Sequence, residues 1–211
     1  MNHVETPVEM IEGADTTVIA DWLEAKLTRA LAASDGPLAI TIPGGSTPFP
    51  ILEQLITRAL DWSRIAIWPN DDRIVPEDHE ASNTGKMRRL FEPVGAEVVT
   101  LTIMEQVPSF ALTWLGMGSD GHIASLFPNT DPRADDPQPI RQITPDPLPA
   151  NAPFDRVTLT IPSLLESDTI LFTLGGSADK REVFDQAAAG SSDLPVARLL
   201  AAATRQVTCF T

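Results

Sequence analysis

Three times along this chain, a short run of apolar, β-favouring residues passes directly into glycine. Pro37-Leu-Ala-Ile-Thr-Ile-Pro43 meets Gly44-Gly45-Ser46-Thr47, Phe110-Ala-Leu-Thr-Trp-Leu115 meets the loop from Gly116 to His122, and Thr169-Ile-Leu-Phe-Thr-Leu174 meets Gly175-Gly176. Runs without polar alternation suit strands buried on both faces, and such strands occupy parallel sheets covered by helices. Helical stripes fall between them: Val18, Ile19, Trp22, Leu23, Leu27, Ala30 and Leu31 form one, and Ile51, Leu52, Leu55, Ile56 and Ala59 another. Further helices are predicted over 82–91, 178–189 and 194–201, and further strands over 65–68, 97–101, 156–161 and 206–210. Residues 128–155 hold 8 of the 19 prolines, which excludes helix or central strand over most of that stretch and predicts an irregular loop with a strand at 140–144. No repeat or hinge composition divides the chain, so one α/β domain over 1–211 with a mostly parallel sheet flanked by helices is expected.

Composition excludes several roles. Fifteen Lys and Arg against 29 Asp and Glu give a net charge of −14, which repels nucleic acid and anionic membranes. No run approaches the roughly 18 apolar residues of a membrane span, and MNHVETPVEM has no basic-then-apolar leader pattern, so a cytoplasmic protein is expected. The single cysteine, Cys209, allows no intramolecular disulfide and reads as a small apolar filler. Histidines at 3, 79 and 122 and one remote cysteine give no metal-ligand spacing, so no metal is expected.

Ligands of open α/β sheets bind beyond the carboxyl ends of the strands, so the three glycine turns should converge. Gly44, Gly45, Ser46 and Thr47 offer close-approaching amides before a helix, with Ser46 as its expected cap, and a phosphate fits there; a ligand-free tight turn is the alternative. It is neither Walker A nor the dinucleotide fingerprint, because the spacing and the lysine are missing. Asn70-Asp71-Asp72-Arg73 gathers carboxylates and a guanidinium where a strand should end, either holding a sugar hydroxyl or phosphate or forming a solvated local ion pair. His79 with Ser82-Asn83 reads as a helix start. Asp120 and His122 lie two residues apart on a glycine loop, where His122 suits general-base work and Asp120 would orient it. Any anionic substrate of so acidic a chain needs local cations; Arg73, Arg156 and Lys180 are the candidates. Arg156, at the start of a strand, has the weaker topological case.

Taken together, PGGSTP (43–48), DDRIVPEDHEASN (71–83), LGMGSDGHIASLFP (115–128), RVTLTIP (156–162) and GGSADKREVF (175–184) resemble the 6-phosphogluconolactonase family in order and spacing across most of the chain. The glycine loop GxGxDGHxASLFP looks like the lactonase form, whereas related glucosamine-6-phosphate deaminases carry an acidic Asn-Glu-Pro ending where this chain has Leu126-Phe127-Pro128. The resemblance implies a Rossmann-like, three-layer α/β domain that opens 6-phospho-D-glucono-1,5-lactone to 6-phosphogluconate without metal or cofactor, as a monomer or small homo-oligomer. Carried onto this chain, His122 would activate water with Asp120 as its partner. The loop from Gly44 to Thr47, with Asp71, Arg73 and Lys180 and more weakly Arg156, would contact the sugar phosphate.

The family pattern commonly reads Asp-Glu-Arg at 71–73 and threonine at Ile123. Its extra helix is missing from the short interval 91–110, which would expose a sheet face, alter a subunit contact or widen the pocket. Two other functions use the same residues. A sugar-phosphate isomerase or deaminase would draw its base from Asp71 or Asp72, and a noncatalytic sugar-phosphate sensor would keep the cradle without turnover.

Overall fold

The computed structural model describes residues 8–150 and 152–211; His3 and most of the N-terminal stretch tested for a leader lie outside the described residues. In chain order the first elements are β1 (Val8–Ile11), α1 (Thr16–Ala33), β2 (Leu38–Ile42), α2 (Pro48–Leu55), β3 (Ile65–Pro69), β4 (Asp71–Arg73), α3 (Asn83–Phe91) and β5 (Glu97–Val98). They continue with β6 (Leu112–Gly116), β7 (Ile140–Ile143), β8 (Arg156–Leu159), α4 (Ile161–Leu165), β9 (Ile170–Thr173), α5 (Ala178–Ala188), α6 (Pro195–Ala202) and β10 (Val207–Phe210).

Seven strands form one parallel sheet in the order β1-β10-β9-β6-β2-β3-β5. Side chains alternate between its two faces, so each strand feeds two cores. On one face Leu112, Trp114, Leu171 and Phe210 pack with Leu23 of α1, Leu52 of α2 and Phe91 of α3. On the other, Leu115, Ile170, Phe172 and Cys209 pack with Leu164 of α4, Phe184 of α5 and Leu199 of α6. Trp114 is fully buried, and its indole N–H donates to Thr173 Oγ1 at 3.0 Å, so its one polar atom is satisfied. Cys209 is the filler expected: burial pushes its thiol pKa up to about 12, which holds it protonated.

The sequence reading missed a second, three-stranded antiparallel sheet, β4-β8-β7. The predicted strand at 156–161 belongs to this sheet as β8, and all four of its residues are buried. Val157 and Leu159 help to cover Trp68, Leu101 and Phe110 of the main sheet side. This cover also answers the short 91–110 interval. The chain crosses from β5 to β6 without a helix, and the sheet face beneath is still buried. Only Ile103 and Met104 are left as exposed large apolar residues in that interval. The strand expected over 97–101 is confined to Glu97 and Val98. Among the described residues, no helix is long and apolar enough to cross a membrane.

Candidate active site

The carboxyl ends of β9, β6, β2 and β3 are consecutive neighbours, and they open onto a cavity of about 500 Å³. Adjacent strands lie about 4.8 Å apart, so the order of the strands fixes the order of the groups that follow them. Lys180 enters from the β9 side, His122 follows β6, the 44–47 turn follows β2, and Arg73 follows β3; all line the cavity. In strand order the segments that carry the two cations flank those that carry the histidine and the glycine cradle. The third glycine turn joins indirectly: Gly175 at φ +68° packs against Thr47, and with it lines an adjoining cavity.

The loop after β6 is built to hold an imidazole. The Gly121 N–H donates to the Gly118 carbonyl at 3.0 Å and the Gly118 N–H to the His122 carbonyl at 2.9 Å, closing the turn. A Cβ on Gly118 would lie 2.2 Å from His122 Nδ1 and Cε1 and 2.6 Å from Asp120 Oδ1, so only glycine leaves room there. His122 Nδ1 lies 2.6 Å from Asp120 Oδ1, and the His122 backbone N–H also donates to that oxygen at 3.2 Å. Phe127 packs on the ring with centroids 4.8 Å apart. With Nδ1 spent on Asp120, Nε2 is the nitrogen left to accept a proton. Beyond the histidine, Ala124 lines the cavity at φ 49°, a left-handed conformation costly for alanine. The next residue locks it: the Ser125 N–H donates to Thr158 Oγ1 at 3.3 Å and its hydroxyl to Asp71 Oδ2.

At the β3 end the two carboxylates have separate jobs. Asp72 accepts from the backbone N–H groups of Asn83 at 2.6 Å and Thr84 at 2.9 Å and from the Ser82 hydroxyl at 3.2 Å, so it caps α3. The solvated ion pair considered from the sequence is not what forms: both carboxylates are buried, and among the described residues neither makes an ion pair. Asp71 faces the cavity, and burial pushes its pKa up, against the Ser125 hydrogen bond and the charges of Arg73 and Arg156. Arg73 Nη1 donates to the Ala81 carbonyl at 2.9 Å and to Asn83 Oδ1 at 3.1 Å.

Seven other arginines are held in ion pairs, whereas neither Arg73 nor Lys180 has a carboxylate partner among the described residues. In a chain of net charge −14, two cations without carboxylate partners on one cavity favour an anion there. Arg156 is placed elsewhere. It stands across from Arg73 in the β4–β8 register but does not line the cavity, and it donates to the carbonyls of Phe154 at 2.6 Å and Ala152 at 2.7 Å. Burial, then the neighbouring Arg73, pulls its pKa down. Ser46 also departs from expectation. The helix begins at Pro48, Thr47 occupies the cap position without a side-chain bond, and Ser46 only lines the cavity. Proline at the first helical position has no N–H to satisfy, which lowers the demand for a cap.

The family model described as glucosamine-6-phosphate isomerases/6-phosphogluconolactonase matches residues 13–100 and 93–209. The chain belongs to this family. A 6-phosphogluconolactonase of Pseudomonas aeruginosa is 34% identical over 172 residues, 71% of each chain, and one of Mesorhizobium japonicum is 32% identical over 214 residues, 91% of this chain and 88% of that one. The crystal structure of a 6-phosphogluconolactonase from Shewanella baltica superposes with a TM-score of 0.80 at 26% identity, covering 99% of this chain and 98% of that one.

Within the glucosamine-6-phosphate isomerase/6-phosphogluconolactonase family frame, the two departures at this site find physical explanations. Asp72, one methylene shorter than the glutamate expected there, reaches the first amides of α3 and not the cavity. Ile123 is fully buried in the core beneath the loop. Sequence reading missed Asn83, which lines the cavity, and Ser125, which ties the histidine loop to Asp71. The motif Ser82-Asn83 signalled a helix start, and Ser82 does cap α3 by accepting from the Gly85 N–H at 3.0 Å; nothing local signalled that the next side chain turns inward. Among the described residues, no group of three His, Cys, Asp or Glu side chains is placed to hold a metal ion.

Proposed function

We propose that this protein hydrolyses 6-phospho-D-glucono-1,5-lactone to 6-phospho-D-gluconate, the lactonase step of the pentose phosphate pathway, with His122 as the base. The observation that carries the reading is the 2.6 Å contact of His122 Nδ1 with Asp120, in a cavity shared with the glycine cradle and two unpaired cations. A proton on Nδ1, donated to Asp120, leaves the Nε2 lone pair for a water molecule. As that water attacks the lactone carbonyl carbon, Nε2 takes its proton and the carbonyl oxygen becomes an oxyanion. Collapse of the tetrahedral intermediate expels the ring oxygen, which receives the proton back from the imidazolium. The resulting carboxylic acid then ionises to water.

Strand order supports one orientation of the substrate. Arg73 adjoins the 44–47 cradle, so the phosphate sits there, against backbone amides and a guanidinium. Lys180 adjoins the His122 loop, so the lactone carbonyl sits between His122 and Lys180, whose ammonium faces the developing negative charge. Against the deaminase alternative, Phe127 of Leu126-Phe127-Pro128 packs on the imidazole where the acidic loop ending would stand, and Asp72 is committed to capping α3, which leaves Asp71, held by the Ser125 hydroxyl, as the one carboxylate of that pair on the cavity. The reading is tested by offering purified protein both compounds. Appearance of 6-phosphogluconate above the spontaneous rate, without ammonia release from glucosamine 6-phosphate, is expected; the reverse pattern overturns it.

A further inference from the structure

We propose that Asn83 is the positioning residue that aims Arg73 at the substrate's phosphate; this rests on the functional reading just given. Asn83 is the first residue of α3, 1% exposed, and lies where three segments of the site meet. Its Oδ1 accepts from Arg73 Nη1 at 3.1 Å, its Nδ2 donates to the Asp71 carbonyl at 3.0 Å, and its backbone N–H is held by Asp72 at 2.6 Å. Gly44 of the cradle closes on the carboxamide so tightly that a Cβ on Gly44 would stand only 2.2–2.4 Å from its atoms. One amide group therefore touches the cradle, the buried carboxyl segment and the cation.

The amide has one workable orientation. Flipped, its NH₂ would face a guanidinium donor and its oxygen the Asp71 carbonyl, leaving like groups opposed in a buried place. The oxygen is thereby fixed toward Arg73. The arginine needs such a guide: among the described residues its Nε is buried without a partner, and Nη1 is bound only by Ala81 and Asn83, both from one short segment. Among the described residues Nη2 has no protein acceptor, so the guanidinium is held by one corner beside the cavity that Arg73 lines. Removing the Asn83 oxygen frees the side chain to swing away while leaving its charge intact.

The test is a double-mutant cycle of Asn83→Leu and Arg73→Leu, read as kcat/KM on the lactone and as Kd for 6-phosphogluconate by calorimetry. Asn83→Leu is expected to lose roughly 10–100-fold in kcat/KM, through KM, as for a hydrogen bond to a charged group. Added to Arg73→Leu it should cost no more than about 2-fold further, because its effect runs through the arginine. Losses that multiply in full would overturn the proposal. A merely structural role would lower the fraction of active protein and leave KM unmoved, which also overturns it. Should the leucine variant not fold, the near-isosteric Asn83→Asp serves. Its carboxylate neutralises Arg73, so Kd should rise roughly 10-fold or more, and an unchanged Kd counts against the assignment. Absence of lactone turnover by the wild type ends the functional reading; the calorimetric cycle still reports whether Asn83 and Arg73 are coupled.

Discussion

His122 Nδ1 and Asp120 Oδ1 lie 2.6 Å apart on a loop that has room for the ring only because residue 118 is glycine. The carboxylate fixes the tautomer and the glycine fixes the place. Replacing His122 by alanine should lower kcat by roughly 10²–10⁴-fold, the range for loss of a positioned base. Gly118→Ala should give a comparable loss in a protein that still folds, because the new Cβ displaces the imidazole. Circular dichroism with steady-state kinetics checks both, and a Gly118→Ala enzyme of normal kcat contradicts the account.

The two cations should separate in kinetics. Arg73→Ala is expected to raise KM by roughly 10–100-fold with a smaller change in kcat, because it removes a phosphate contact made equally in ground and transition states. Lys180→Ala should instead lower kcat by roughly 10–10³-fold, having removed a group that acts on the oxyanion. Initial rates over a range of lactone concentration decide it, and the opposite split would exchange the two ends of the substrate.

Asp71 supplies a pH dependence of stability whose sign is fixed. Burial raises its pKa above the unfolded value, so the folded state binds the proton more tightly. Its favourable contribution is complete below the ordinary carboxyl range and is lost as pH rises through the raised value. Asp71→Asn cannot ionise, so the variant should gain stability relative to wild type on going from about pH 4 to about pH 7. Urea titrations at both pH values measure this; a difference that does not change with pH contradicts the burial argument.

Asp72 should behave as a structural residue. It accepts two backbone N–H groups at the start of α3, so Asp72→Ala should destabilise by about 2 kcal/mol. Chemical denaturation checks the value. A variant as stable as wild type would remove the capping role and reopen the carboxylate to catalysis.

The main sheet was legible because strands buried on both faces are written as continuous apolar runs, and Ile40, Trp114 and Phe172 each sit in such a run before a glycine turn. The turns could be placed at one rim because parallel strands end at the same edge. The second sheet was not legible: β4 is three residues long, and its partner β8 begins at Arg156, so no local pattern announces the pairing. That pairing also decides Arg156, whose guanidinium turns to the carbonyls of Ala152 and Phe154 rather than to the cavity. Asp120 and His122 were legible because both partners share one five-residue loop. Asn83 was not, since its meaning comes from Gly44, which is distant in the chain, and from Arg73 and Asp71 folding back over α3.

The most direct measurement follows 6-phosphogluconate formation from freshly prepared lactone through a coupled dehydrogenase, with spontaneous opening subtracted, for wild type and His122→Ala side by side between acid and neutral pH. The account predicts wild-type turnover well above background and near-background rates for the variant throughout. A wild-type rate indistinguishable from background, or a His122→Ala enzyme equal to wild type, contradicts it.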